Sequence, residues 1–427
     1  MTDGRIRALC DFLDASHSVY HAQAYLAGVL ENAGYTRLHE QDEWTLAPGG
    51  KYYLGRGGSA IVAFRLPKGS PRGFLMSASH SDRPSFKVKE NFELSAAYTR
   101  MAVERYGGML ISPWLDRPLS IAGRVTVETE RGVETRLLDI DKDLLLIPNV
   151  AIHMNRQAND GYKWNPAMDT LPLIGGADAA RKLAALLEKE AGGKILGHDL
   201  YLYVRQKASV WGVEDEYISS AALDDLECAW GCTRGFLGAK DSASIPVLCV
   251  FDSEEVGSVS PQGAASSLLE DTLTRICDSL KLNRGRMLAQ SFLVSADNAH
   301  AIHPNHPEYA DPNNAPVMGG GPVIKYNANL SYCTDSVSAA VFRKICGRAG
   351  VRLQSFHNRA DLPGGSTLGR ISLAHVSVPT VDIGLAQLAM HSCYETAAVS
   401  DAIDLETAMQ AYYGVSLEAT EKGFSIL

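Results

Sequence analysis

The chain alternates between short apolar segments typical of strands and longer segments typical of helices, and this alternation restricts the fold more than any other feature. In the C-terminal half, strand-like segments 245–251 (IPVLCVF), 291–297 (SFLVSAD) and 378–384 (VPTVDIG) are separated by helix-like segments such as 223–237 and 336–350. Repeated strand-then-helix units predict a mostly parallel sheet, because parallel strands need crossover connections. We therefore expect an α/β fold with a mostly parallel sheet flanked by helices.

Residues 88–212 interrupt this alternation with shorter, β-like segments and one helix-like stretch at 178–193. Before them, residues 6–33 have the apolar spacing of a helix, and two strand-like segments follow. The chain closes with a helical pattern near residues 402–422. We interpret residues 88–212 as an inserted smaller, β-rich domain, and residues 1–87 together with 213–427 as a discontinuous main domain.

Composition excludes several classes of protein. The N-terminal segment mixes charged and apolar residues, so we expect no membrane span and no signal peptide, and we interpret the protein as cytoplasmic. The net charge of −9 and the scattered basic residues argue against a nucleic-acid partner. The eight cysteines are dispersed, and Cys228 and Cys232 have a helical spacing, which favours reduced thiols over disulfides or thiolate metal ligands.

Acidic residues and histidines stand where the predicted strands end. His80 ends the segment 73–80, Glu254 and Glu255 follow the segment 245–251, and Asp297 ends the segment 291–297. Because active sites of such sheets lie at the carboxyl ends of the strands, we expect these side chains to meet at one edge. A single Glu-Glu pair most often lies in a solvated loop. Acidic residues or histidines at the ends of several predicted strands, however, indicate a functional site.

Asp224 and Asp225 at the start of a helix, and His391 beyond the last strand, complete the candidate set. Imidazole and carboxylate ligands without thiolates suit Zn²⁺, Mn²⁺ or Co²⁺ bound for catalysis. One Asp can bridge two ions about 3.5–4 Å apart, as two-metal hydrolytic sites require. One residue of the Glu254–Glu255 pair would then bind metal while the other transfers a proton.

The sequence blocks around these residues resemble a known family over nearly the whole chain. They include ASHSDRPSFKVK, DEYISSAALDDL, DSEEVGS, SADNAHAIHPN, GPVIKYNAN and LAMHS. In these blocks the chain closely resembles the M18 metallopeptidases, the aspartyl aminopeptidase family. The resemblance implies a two-metal catalytic domain interrupted by a domain that mediates dimerisation and covers the site. It also implies a tetrahedral dodecamer built from dimers, with active sites facing an enclosed chamber.

The resemblance also implies two metal positions that share one ligand. His80 and Asp297 would bind one divalent ion, Glu255 and His391 would bind the other, and Asp224 would bridge them. Zn²⁺ is favoured, with Mn²⁺ or Co²⁺ as alternatives.

The resemblance implies roles for further residues around the metals. Glu254 would be the general base, and Asp82 would accept the imidazole N–H of His80. The residues implied to face the substrate are His303, Lys325 and Tyr332, with His153 reaching into a neighbouring subunit's site.

The implied activity is the removal of single residues from the free N-termini of peptides. Lys325 is the cation expected to pair with an acidic first residue, Asp or Glu. Three alternatives remain open: a broad neutral aminopeptidase, an N-acyl-amino-acid deacylase, and a non-catalytic oligomeric scaffold. The chain departs from the family at Ala222, where an arginine is common, and in SHSVYHA, which lacks the usual prolines.

Overall fold

The computed structural model describes residues 3–362 and 364–427. Within these residues the strands are, in chain order, β1 (Thr36–Arg37), β2 (Lys51–Arg56), β3 (Ala60–Arg65), β4 (Phe74–His80), β5 (Ser85–Ser95), β6 (Thr99–Tyr106), β7 (Leu119–Thr129), β8 (Gly132–Asp139), β9 (Leu173–Gly175), β10 (Ile195–Val204), β11 (Ser209–Trp211), β12 (Tyr217–Ser220), β13 (Ile245–Phe251), β14 (Phe292–Ala296), β15 (Ala299–His300), β16 (Val323–Tyr326), β17 (Gln354–His357), β18 (Thr380–Gly384), β19 (Ala386–Gln387), β20 (Glu395–Ala398), β21 (Leu417–Thr420) and β22 (Gly423–Ile426).

The helices are α1 (Gly4–Ala15), α2 (Val19–Asn32), α3 (Ala179–Ala191), α4 (Leu223–Gly238), α5 (Leu268–Ser279), α6 (Arg284–Leu288), α7 (Ser336–Arg348), α8 (Leu368–Ser372) and α9 (Val399–Tyr413). Short 3₁₀ turns lie at Ser112–Trp114, Glu254–Val256 and Pro307–Tyr309.

A mixed nine-stranded sheet forms the main domain, with the strand order β1-β2-β3-β13-β4-β14-β18-β16-β17. Its pairings β1–β2, β13–β4, β4–β14, β14–β18 and β16–β17 are parallel, and the other three are antiparallel. This arrangement confirms the expected mostly parallel sheet flanked by helices.

The sheet is covered on both faces because its central strands are apolar on both sides. In β13, Leu248 and Val250 pack in the core shared with α1, α2, α4, α7 and α9. Val247 and Cys249, on the opposite face, pack in the core shared with α5, α6 and α8. Two hydrophobic cores therefore hold the strand ends that carry the site.

A second, six-stranded antiparallel sheet with the order β8-β7-β10-β5-β6-β9 confirms an inserted β-rich unit. It has its own core, to which Phe86, Ile121 and Leu202 contribute, with Leu183 of α3 packed against it. The strands of this sheet lie between residues 85 and 204, whereas β11 pairs with β12 in a different sheet. The domain limits at residues 88 and 212 stay a prediction.

Two helical predictions differ from the structure at the chain ends. The N-terminal segment forms two helices, because the chain breaks after Ala15 and Ser18 starts α2 by capping the N–H of His21. The predicted closing helix ends at Tyr413, and residues 417–426 form the hairpin β21–β22, since Gly414 ends the helix and Leu417–Ile426 pair across a turn.

The eight cysteines are free thiols, five of them on buried strands or helices of the two main cores. Among the described residues, none of the helices combines the length and the apolar character needed to cross a membrane.

Candidate active site

Three adjacent parallel strands deliver side chains to the same edge of the main sheet. β13, β4 and β14 lie side by side and run in the same direction. His80 is the last residue of β4, Glu254 and Glu255 form the 3₁₀ turn that follows β13, and Asp297 comes directly after β14. The carboxyl ends of these strands therefore bring the four side chains together.

Asp224 and His391 reach this edge from irregular backbone. Asp224 lies in the first turn of α4 but has non-helical angles (φ −81°, ψ 109°), and its peptide bond to Asp225 is cis. His391 follows β19 and has a positive φ of 66°.

Asp224 stands between two histidines, with one oxygen facing each. Its Oδ1 is 3.5 Å from Nε2 of His80, and its Oδ2 is 3.5 Å from Nε2 of His391. Nε2 of His80 is also 4.0 Å from Oδ1 of Asp297, and Nε2 of His391 is 3.3 Å from Oε2 of Glu255. The five side chains thus form two groups that share Asp224.

The distances and unpaired atoms of this cluster fit divalent cations. Two ligand atoms that each bind Zn²⁺ at about 2.0–2.2 Å in tetrahedral geometry lie about 3.3 Å apart, close to the separations seen around Asp224. Oδ1 of Asp224 and Oε1 of Glu255 are buried and lack a hydrogen-bond partner among the described residues. Such atoms are costly unless they bind a cation, so the residues present suit a metal site.

The electrostatics of the cluster favour a cation as well. Burial raises the pKa of Glu255 well above its usual value, with Asp224 adding to the rise and His80 opposing it. Burial also raises the pKa of Asp297, although Lys325 opposes this. Divalent cations would relieve this crowding of carboxylates.

Glu254 is the carboxylate beside the ligands that suits proton transfer. Burial raises its pKa to about 8, while His80 lowers it and Asp297 and Asp224 add to the rise. A carboxyl group whose pKa lies near neutrality can both take and return a proton. Neighbouring cations would lower this pKa.

Asp82 fixes the turn that carries Glu254 and Glu255. Its Oδ1 accepts the N–H of Glu254 at 3.0 Å, and its Oδ2 accepts the N–H of Glu255 at 3.2 Å. The expected acceptor role toward His80 is taken mainly by the backbone carbonyl of Asp82, 3.1 Å from Nδ1 of His80, because the carboxylate oxygen is farther away at 3.4 Å.

The inserted β-rich unit reaches the same cluster through the end of β6. The Tyr106 hydroxyl donates to Oδ2 of Asp82 at 2.7 Å, and the N–H of Leu110 donates to the carbonyl of His391 at 3.0 Å. Gly107 has a φ of +71°, and a Cβ there would stand 3.1 Å from Cβ of Glu255, so the close approach requires glycine. This contact was not predicted from the sequence.

The residues expected at the substrate occupy different environments. Lys325 is only 2% exposed, and its ammonium donates to the carbonyls of Asp297 (2.6 Å) and Asn298 (3.1 Å) rather than standing free. Tyr332 is buried, with its ring 5.2 Å from the Lys325 ammonium. His153 is exposed in a turn of the inserted unit.

His300 is a neighbour of the cluster that was not singled out from the sequence, although it follows Asp297 by only three residues. It lines a cavity of about 280 Å³ together with the exposed His303, whose Nδ1 accepts the N–H of Asn305 at 3.2 Å. Desolvation lowers the pKa of His300, and the charges of Lys325 and His391 lower it further, whereas Asp224 opposes this shift. His300 therefore lies within electrostatic reach of the metal-binding cluster.

Comparisons with known proteins identify the family of the chain. A family model described as aminopeptidase I zinc metalloprotease (M18) matches residues 12–413. The "Probable M18 family aminopeptidase 2" of Clostridium acetobutylicum is 40% identical over 425 residues, covering 96% of this chain and 98% of that protein.

Solved structures share the fold closely. The chain superposes on a structure described as the Ape4 and Nbr1 complex with a TM-score of 0.92 and 34% identity, over 96% of this chain and 85% of that one. It also matches the S. cerevisiae mApe1 dodecamer with a TM-score of 0.83 and 26% identity, over 95% of both chains. This similarity along nearly the full length shows that the chain belongs to the M18 family of metallopeptidases and is a metal-dependent aminopeptidase, a hydrolase.

Proposed function

We propose that this aminopeptidase uses two divalent metal ions to hydrolyse the peptide bond after a free N-terminal residue. The observation that carries the proposal is the position of Asp224, whose two oxygens face different histidines. Asp224 would bridge the ions, with His80 and Asp297 completing one position and Glu255 and His391 the other. Zn²⁺ is our preferred ion, with Mn²⁺ or Co²⁺ as alternatives, because this ligand set suits all three.

Divalent cations at these positions would polarise the scissile carbonyl and lower the pKa of water toward neutrality. Glu254 would take the proton of the attacking water and return it to the leaving amine. Asp82 would keep Glu254 in place through the N–H groups of the turn. Tyr332 would stabilise the negative oxygen that develops on the substrate.

We further propose that the enzyme prefers acidic N-terminal residues, because the buried ammonium of Lys325 lies beside Asp297 in the cluster. The pKa of Lys325 is raised despite its burial, mainly by Asp297, so its ammonium keeps its charge. Because this ammonium already contacts backbone carbonyls, Lys325 would attract an acidic side chain through its field. His300, which reaches the cavity, would contact that side chain directly.

The preference is tested by measuring kcat/KM for substrates with N-terminal Asp, Glu, Leu and Ala. We expect wild type to favour Asp and Glu. Lys325→Ala should reduce that advantage by about 10-fold through loss of its positive field, and His300→Ala by about 10-fold through loss of a hydrogen bond from a neutral imidazole. Metal content is measured in each preparation, since Lys325 also contacts Asp297.

His303→Ala should also reduce the preference, because His303 lines the same cavity and is proposed to face the substrate. His375→Ala is the control, since His375 is exposed and is not among the residues that line this cavity, and it should leave the preference unchanged. Equal cleavage of acidic and neutral substrates by wild type would contradict the acidic preference. Faster cleavage of N-acetylated than of free substrates would indicate a deacylase instead.

We propose that the chain assembles into a homo-oligomer, a tetrahedral dodecamer built from dimers, in which the inserted domain mediates dimerisation and covers the site. The mApe1 dodecamer supports a homo-oligomer of twelve subunits through its similarity to the chain. The partners are then copies of this chain and peptides with free N-termini. We also propose that the protein is cytoplasmic and has no membrane partner. Its net charge of −9 argues against a nucleic-acid partner.

His153 is proposed to enter the active site of a neighbouring subunit, because it is exposed on the inserted unit and is therefore free to contact another copy of the chain. His153→Ala should keep the particle size of wild type in light scattering and lose about 10- to 1,000-fold in kcat/KM, as expected for a group that stabilises developing charge. Dissociated subunits that are as active as the assembly would contradict this role.

A further inference from the structure

We propose that Glu395 is a positioning residue that holds Asp224 and His391 at the spacing required to share a metal ion. This inference rests on the proposed two-metal function and extends it to a residue that makes no contact with the metal positions itself. Glu395 begins β20 and is 1% exposed.

The two oxygens of the Glu395 carboxylate accept backbone N–H groups from two different metal-ligand residues. Oε1 accepts the N–H of His391 at 2.7 Å, and Oε2 accepts the N–H of Asp224 at 3.0 Å. One buried side chain thus connects the first turn of α4 to the loop before β20, two segments that are more than 160 residues apart.

The backbone at both ligands needs such a connection. Asp224 departs from helical geometry, and His391 has a φ of 66°, which few non-glycine residues adopt. Their N–H groups are therefore not fixed by a helix or a sheet. The antiparallel pairing of β12 with β20 places Glu395 opposite Ser220, so its carboxylate lies beside the turn that leads to Asp224.

The chemistry of the contact requires glutamate. A carboxylate offers only acceptors, one oxygen for each N–H, whereas the amide of glutamine would turn an NH₂ group toward one of the two donors. Aspartate keeps the charge but is shorter by one methylene. Neither replacement can hold both ligands.

The contact should act unequally on the two metal positions. Glu395 holds the backbone of His391 and of the shared Asp224, but His80 and Asp297 are fixed by β4 and β14. Loosening Glu395 therefore weakens the position formed by Glu255, His391 and Asp224 more than the other one.

The test is a Zn²⁺ titration of metal-free Glu395→Gln by calorimetry, with Co²⁺ absorption spectra as a second readout. We expect wild type to bind two ions, and the variant to bind one ion normally and the other about 10- to 100-fold more weakly, as loss of an outer contact to a ligand predicts. Glu395→Asp should show the same selective loss, and it replaces Glu395→Gln if that variant does not fold.

Asp401→Asn is the matched control. Asp401 is a buried carboxylate that also accepts two backbone N–H groups, from Gly319 and Gly321 at 2.8 Å each, but none from a metal-binding residue. If Glu395 has a merely structural role, Glu395→Gln and Asp401→Asn should both lose thermal stability. Both variants should then bind the two ions with the affinities of wild type. That result overturns the inference.

The controls separate this inference from the proposed function. If wild type binds fewer than two ions, the two-metal proposal fails, and the inference fails with it. If wild type binds two ions and both Glu395 variants bind them with wild-type affinity, only the inference fails.

Discussion

Replacing Glu254 with glutamine is expected to leave metal content near that of wild type and to lower kcat by about 100- to 10,000-fold, the usual contribution of a general base. The amide keeps the size of the side chain and cannot take a proton. The hydrogen bond from the backbone N–H of residue 254 to Asp82 should survive, because it does not involve the substituted side chain. Metal analysis and steady-state kinetics on the same preparation measure both expectations.

The pH profile adds a second readout for the same variant. Because burial sets the pKa of Glu254 near 8 and bound cations would lower it, wild-type kcat/KM should rise with pH along a limb below pH 8. This limb should disappear in Glu254→Gln. Glu130→Gln, in an exposed turn, is the control. Full activity of Glu254→Gln, or loss of metal from it, would contradict the assigned role.

Replacing Asp224 with asparagine should have the largest effect on metal binding. Because Asp224 faces both histidines, the change removes charge from both metal positions at once. We expect affinity for Zn²⁺ to fall by more than about 100-fold, since even an outer contact to a ligand contributes 10- to 100-fold. Calorimetric titration of the metal-free protein measures this loss, and peptidase activity should fall with it.

Asp335→Asn provides the control for that variant. Asp335 caps the first turn of α7, and asparagine is an equally good cap, so both stability and metal binding should stay unchanged. If Asp224→Asn binds two ions as tightly as wild type, Asp224 is not a shared ligand.

The edge of the sheet was predictable because it follows from local patterns. Apolar segments identify β4, β13 and β14, and parallel pairing brings their carboxyl ends together, so His80 and Asp297 could be expected there. Asp224 and His391 lie on irregular backbone that no periodicity describes. The sequence pattern indicated them only as candidates, and the family resemblance implied their separate roles.

The environment of buried side chains could not be predicted from the sequence. Lys325 was expected to face the substrate, but it is buried against carbonyls of a strand end that lies almost 30 residues earlier in the chain. The closing hairpin and the contact of Gly107 with Glu255 likewise depend on pairings between distant segments. Such pairings are set by tertiary packing, which leaves no local signal.

The most direct test of the account is anomalous X-ray diffraction from crystals of the wild-type protein grown with Zn²⁺. We expect two anomalous peaks per subunit, about 3.5–4 Å apart, on either side of Asp224. One peak should contact His80 and Asp297, and the other Glu255 and His391. A single peak at the cluster, or peaks bound by other residues while the cluster stays empty, would contradict it.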